Sequence, residues 1–122
     1  MLLDSSVIVA YFNKEDALHK QAVQKMAPLK LWGILEPILF ESITVLQSRG
    51  SKTLAKAALD ALLKDDRTRI ASPEAEDLRS AYIYFITQKG SLTLYDLLLF
   101  SASRNKNYPF LSFDKKLHAF RP

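Results

Sequence analysis

The sequence predicts an α/β domain with a small central parallel sheet and helices on both faces. Short segments that read as strands (Leu2-Leu3, Leu31–Leu35, Thr68–Ala71 and Tyr108–Phe113) alternate with stretches whose apolar residues recur at helical spacing. Strands separated by helices pair in parallel through right-handed crossovers. The first and last of these runs end in an acid, Asp4 and Asp114. The carboxyl ends of the strands are where an open parallel sheet binds its ligands. The 122 residues contain no repeat, linker or low-complexity stretch, and residues 1–122 are expected to form a single domain.

Leu2-Leu3 reads as a buried strand ending at Asp4, after which Ser5-Ser6 opens the apolar stretch Val7–Phe12, closed by Asn13. Asp16 is the expected cap of a helix over Ala17–Ala27, with Ala22, Val23 and Met26 on one face and Pro28 beyond its end. After the second strand, Glu36-Pro37 starts a helix with proline in its first turn, and Gly50 marks its end. Ser51 caps a further amphipathic helix, Leu54 to Lys64. Ser72-Pro73 stops the third strand, Glu74–Lys89 is helical with Gly90 after it, and Ser91 precedes a strongly apolar helix from Leu92 to Asn105.

Composition narrows the function classes. Hydrophobic residues at 48% and charged residues at 25% suit a packed core. No apolar run reaches the roughly 18–20 residues that span a bilayer, and the start carries no basic n-region, so a cytoplasmic protein is expected. Without cysteine there is no disulfide, thiolate metal site or Cys nucleophile. Residues 1–103 hold 12 basic and 12 acidic side chains; the net charge of +4 therefore comes from Arg104, Lys106, Lys115, Lys116 and Arg121 against Asp114. A basic end suits a polyanion, although a solvated lysine-rich terminus gives the same pattern.

Two more acids lie in helices among apolar neighbours. Glu41 has Ile38 at i−3 and Val45 at i+4, and Asp96 has Leu92 at i−4 with Leu99 and Phe100 following. Each acid also has a purely structural reading. Asp4 could cap the turn or helix that follows it, Asp114 could cap Lys115–Phe120, and Asp96 could favour a helix dipole. Glu41 could pair with Arg49 or Arg79. Together, oxygen donors without cysteine select a hard cation, Mg²⁺ or Mn²⁺. His19 and His118 lack a second histidine at ligand spacing and read as surface residues. Crowded carboxylates repel until a cation relieves them, and such a cation serves phosphodiester hydrolysis.

The same residues carry a resemblance. Leu3-Asp4-Ser5-Ser6-Val7-Ile8-Val9-Ala10-Tyr11-Phe12 looks like the N-terminal acidic motif of PIN-domain proteins, in particular VapC-like toxin ribonucleases. Ile38–Leu46 is similar to the helix bearing that family's Glu, Leu92–Ala102 resembles the helix with its second Asp, and Phe110–Leu117 looks like its closing strand–hydroxyl–x–Asp motif. Leu97 follows Asp96 where the family often has a small residue, and Ser112 stands where Thr is more usual. The resemblance implies a PIN-like three-layer α/β/α sandwich with a small central parallel sheet. It implies Asp4, Glu41, Asp96 and Asp114 as catalytic, Mg- or Mn-binding acids, supported by the hydroxyls of Ser6 and Ser112. It implies hydrolysis of RNA by activated water, a homodimer and a cognate antitoxin. Arg104, Lys106, Lys115 and Lys116 flank the last two motifs and would guide RNA phosphates.

Two other classes compete. A non-catalytic PIN-like module would bind RNA or a protein partner and show no metal-dependent change on thermal melting. A flavodoxin-like phosphoryl-transfer regulator would want an acidic pair beside Asp4 and a distal lysine, and no such pair is present.

Overall fold

Strand and helix alternate along the chain as the sequence predicts. In the computed structural model, which describes residues 1–122, β1 (Leu2–Leu3) leads into α1 (Ser5–Phe12) and α2 (His19–Met26). β2 (Trp32–Leu35) leads into α3 (Glu36–Arg49) and α4 (Lys52–Lys64). β3 (Thr68–Ala71) leads into α5 (Ala75–Thr87) and α6 (Leu94–Lys106), and β4 (Phe110–Leu111) precedes α7 (Lys115–Ala119).

The strands form one sheet in the order β3-β2-β1-β4, and every pairing is parallel. The chain steps outward from β1 to β2 to β3, then returns across the sheet to lay β4 along the free edge of β1. Right-handed crossovers put the helices of the outward steps on one face and those of the return step on the other. The packing agrees: α1 lies on α2 and α3, α3 lies on α4, and α5 packs against α6. The result is the three-layer α/β/α sandwich, with its reversal of direction between β1 and β4. That reversal is the switch point at which such sheets open a crevice.

The core follows from side chains that alternate or recur toward the sheet. Leu3, Ile8, Ile34, Ile38, Leu97 and Leu99 are fully buried. Trp32 is 1% exposed and its Nε1 donates to Thr68 Oγ1 at 3.0 Å, joining β2 to β3. The Arg67 guanidinium covers the same indole ring from 4.3 Å. At Gly33 a Cβ would stand 3.0 Å from Leu2 Cδ2, so a larger residue there would have to displace that side chain.

Four boundaries differ from the sequence expectation, each for a local reason. Asp16 does not cap α2; its carboxylate accepts from Leu18 N at 2.9 Å within a turn, and the helix starts at His19. α6 starts at Leu94, capped by Thr93, two residues beyond the Leu92 start expected from the apolar run. Gly90 lies beyond α5, which ends at Thr87, and the Gln88 amide bonds both the N–H and the carbonyl of Leu92. β4 keeps only Phe110–Leu111, since Pro109 has no N–H and Phe113 N donates to the Ser6 hydroxyl instead of a strand.

Candidate active site

Asp4 leaves the end of β1 at the switch point and is 2% exposed. It occupies the cap position of α1, yet its side chain makes no capping bond. Instead Oδ2 accepts from Ser6 Oγ at 2.8 Å and from Ser112 Oγ at 2.6 Å, while Oδ1 is buried without a partner. Ser112, 7% exposed, also accepts from Asp114 N at 3.0 Å. One hydroxyl thus ties the first acid to the backbone that carries the last.

The other acids are set by helix chemistry. Thr93 and Asp96 form a capping box: Thr93 N donates to Asp96 Oδ2 at 2.9 Å and Asp96 N to Thr93 Oγ1 at 3.2 Å. Asp114 caps α7, its Oδ1 accepting from Lys116 N at 2.9 Å and Leu117 N at 3.4 Å. Each of these two carboxylates spends one oxygen on its helix and keeps another for the crevice. Glu41 makes no ion pair with Arg49 or Arg79, and its Oε1 is buried without a partner.

All four acids line one cleft of about 320 Å³, together with Ser5, Ser6, Asp16, Val45 and Arg49. Burial pushes the Glu41 carboxyl up; the Ser5 hydroxyl opposes this, and Asp4 and Asp96 add repulsion. Burial likewise pushes Asp96 up, against its bonds from Thr93 and with repulsion from Asp4 and Asp114. Both shifts come first from burial, and the smaller mutual repulsion reflects carboxylates gathered in one cleft. As they stand, the side chains do not close into a group of three or more metal-holding residues. The two orphaned oxygens and the oxygen-only donor set nevertheless fit a hard divalent cation.

A family model described as PIN domain matches residues 1–121. The chain belongs to the PIN domain family. Among solved structures this PIN domain is similar to Mycobacterium tuberculosis VapC20, described as a sarcin-ricin loop cleaving toxin. The TM-score is 0.88 at 23% identity, over 97% of this chain and 92% of that one. It is also similar to VapBC2 from Rickettsia felis, solved bound to a DNA fragment from its promoter. There the TM-score is 0.70 at 17% identity, over 97% of this chain and 90% of that one. No match is found among curated proteins. No helix of the PIN domain is long and apolar enough to cross a membrane.

The basic residues lie elsewhere than the motif order suggests. Arg104, Lys106, Lys115 and Lys116 do not line the acidic cleft. Lys106 Nζ stands 3.5 Å from Glu74 and 3.7 Å from the buried Asp77, so its charge serves the contact between α5 and α6. The cation that does line the cleft is Arg49. It follows Glu41 at i+8 and Val45 at i+4 along α3, a spacing that puts all three on one helical face. His118, exposed, bonds the Ser112 carbonyl through Nε2 at 2.9 Å and stacks on Phe110, bracing the turn that carries Ser112.

Proposed function

We propose that this PIN domain is a metal-dependent endoribonuclease, the toxin component of a toxin–antitoxin pair, acting in the cytoplasm as a single domain over residues 1–122. The observation that carries the reading is the shared cleft of Asp4, Glu41, Asp96 and Asp114 at the β1/β4 switch point. The family and the fold shared with a toxin named for cleaving the sarcin-ricin loop support it. The VapBC2 neighbour supports a cognate antitoxin as partner.

Asp4 and Asp96 are the most direct candidates to hold Mg²⁺ or Mn²⁺, with Glu41 and Asp114 ligating or orienting the attacking water. A bound divalent cation supplies water activation and neutralises charge on the phosphate. Ser6 and Ser112 hold Asp4 Oδ2 and thereby leave Oδ1 as the open donor. Glu41, made more basic first by burial, is the acid outside the two most direct ligands that is suited to orient the attacking water. Arg49 supplies a positive partner for the phosphate within the same cleft. A homodimer is supported by exposed apolar side chains on α3, α5 and α6, among them Phe40, Tyr82, Ile86 and Tyr95, with Ile86 80% exposed.

The deciding experiment is cleavage of a mixed RNA pool with Mg²⁺, Mn²⁺ or EDTA, with folded Asp4→Asn and Asp96→Asn alongside. Metal-dependent cutting by the wild type, lost in both variants, is expected; cutting that survives both would remove the site from the mechanism. The second reading, a non-catalytic RNA- or protein-binding module, is favoured by the absence of a closed ligand group. Under it, Mn²⁺ would shift the melting of neither wild type nor Asp4→Asn.

A further inference from the structure

The largest concave surface of the molecule is not the acidic cleft. A cavity of about 660 Å³ lies between the loop after α5 and the segment that begins with α7. Its lining includes Lys89, Lys116 and Arg121 and no acidic side chain. None of the three cations is in an ion pair. Lys116 Nζ stands 3.4 Å from Ser91 Oγ, and the Arg121 guanidinium donates to the carbonyls of His118 and Phe120, so two of the three charges are fixed against the walls. The Gln88 amide clamps Leu92 by both backbone groups, which shapes the intervening loop. The N–H groups of Lys89, Gly90 and Ser91 donate to no other atom of the chain. Cations and free amide donors on opposite walls are the equipment that takes phosphate oxygens.

No residue lines both the cavity and the acidic cleft, but the segments that wall the cavity continue into residues that hold two of the acids. The loop that lines the cavity runs on to Thr93, the residue that orients Asp96. Lys116, on the opposite wall, donates its backbone N–H to Asp114. Each wall of the cavity is thus continuous in sequence with a segment that holds one of the acids, Asp96 or Asp114. A second, adjoining cavity shares Phe120, Arg121 and Pro122 with the first and adds Arg104.

We propose that the cavity walled by Lys89, Ser91, Lys116 and Arg121 docks the phosphate backbone of the RNA strand whose scissile bond lies in the acidic cleft. This rests on the nuclease reading and assigns the strand's path beside it. The contacts are to phosphates, so they position the strand and carry no base preference.

The test measures binding of a short fluorescein-labelled single-stranded RNA by anisotropy in EDTA across a salt series, followed by steady-state cutting of the same RNA with Mn²⁺. Wild type is compared with Lys89→Ala, Lys116→Ala, Arg121→Ala, their triple combination, a triple Arg/Arg/Lys exchange that keeps the charges, and Lys56→Ala as an unrelated lysine. Circular dichroism checks that each is folded. Single-strand binding loses about 0.7 from the salt slope per lost phosphate contact, so the triple Ala variant should lose about 2. Its KM should rise by more than its kcat falls, and the charge-keeping exchange should restore both. A triple Ala variant with the wild-type slope and KM would overturn the docking path while the nuclease stands. Loss of binding in the triple variant, with no metal supporting cleavage, would keep the docking path and remove the nuclease reading. Displacement of the RNA by polyglutamate at matched charge concentration would reassign the cavity to an acidic protein segment and overturn the proposal.

Discussion

Ser112 Oγ stands 2.6 Å from Asp4 Oδ2, joining the residue after β4 to the residue after β1. The bond is buried, and the same hydroxyl receives the N–H of Asp114. Ser112→Ala leaves a buried carboxylate with one donor fewer and is expected to cost about 1–3 kcal/mol of stability. Metal affinity should fall by about 10–100-fold, as when other orienting partners of a ligand are removed. Ser112→Thr keeps the hydroxyl and should retain most of the affinity. Denaturant titration and Mn²⁺ calorimetry on both variants check this.

Glu41 and Asp96 give the metal-free protein a pH dependence of defined sign. Their carboxyls sit above the ordinary values of 4.5 and 3.8, so the folded state holds these protons more tightly than the unfolded chain. Stability is therefore lost as pH rises from those ordinary values through the raised ones. Glu41→Gln removes one of the charges. Melting in EDTA should show this variant above wild type at neutral pH, with the gap closing at acidic pH. Added Mn²⁺ should stabilise wild type and reverse the order.

Thr93 caps α6 and orients Asp96 in one step. Thr93→Ala should cost about 1 kcal/mol, the usual worth of a cap. Its effect on cutting should exceed that of Ser51→Ala, which removes a similar cap from α4, a helix that carries none of the four acids. Equal effects on activity would mean that the Thr93 cap serves the helix alone. Asp96→Asn keeps an oxygen for the cap but loses the charge, and should lower cutting on the order of 100-fold or more.

Trp32 separates scaffold from chemistry. Its indole N–H bonds Thr68 and its ring is fully buried between β2 and neighbouring elements. Trp32→Phe leaves the Thr68 hydroxyl without its donor and loses part of the ring, an expected cost of about 1–3 kcal/mol. At temperatures where the variant is folded, kcat should match wild type.

Much of this arrangement is legible in the sequence because it is local. Asp4 and Asp114 stand at strand ends, Leu2-Leu3 is a short apolar start closed by Asp4, and Thr68–Ala71 is stopped by Ser72-Pro73, so both strands are read from a few residues. Thr93-x-x-Asp96 is a capping box that sequence alone contains, although the more conspicuous Ser91 competes for the cap position. Arg49 is also readable, as the i+8 neighbour of Glu41. Spatial partners are another matter. Nothing in the linear order pairs Lys106 with Glu74 and Asp77, or gathers Lys89 and Arg121 around one cavity, because those contacts depend on how α5, α6 and α7 meet. The shortening of β4 is likewise decided by tertiary competition: the Ser6 hydroxyl takes an N–H that strand propensity assigns to the sheet.

The strand order has a consequence for the ribosome. Because β4 pairs only with β1, the carboxylate at position 4, already met by the nearby hydroxyl at position 6, waits for position 112 to supply its second donor. A nascent chain carries three of the four acids long before its closing strand emerges, and contacts of such wide sequence separation form late. The emerging polypeptide therefore has no assembled cleft while it is still attached to the machine that makes it. Premature termination ahead of Ser112 yields a fragment with three of the four acids and only one of the two hydroxyls that hold the first.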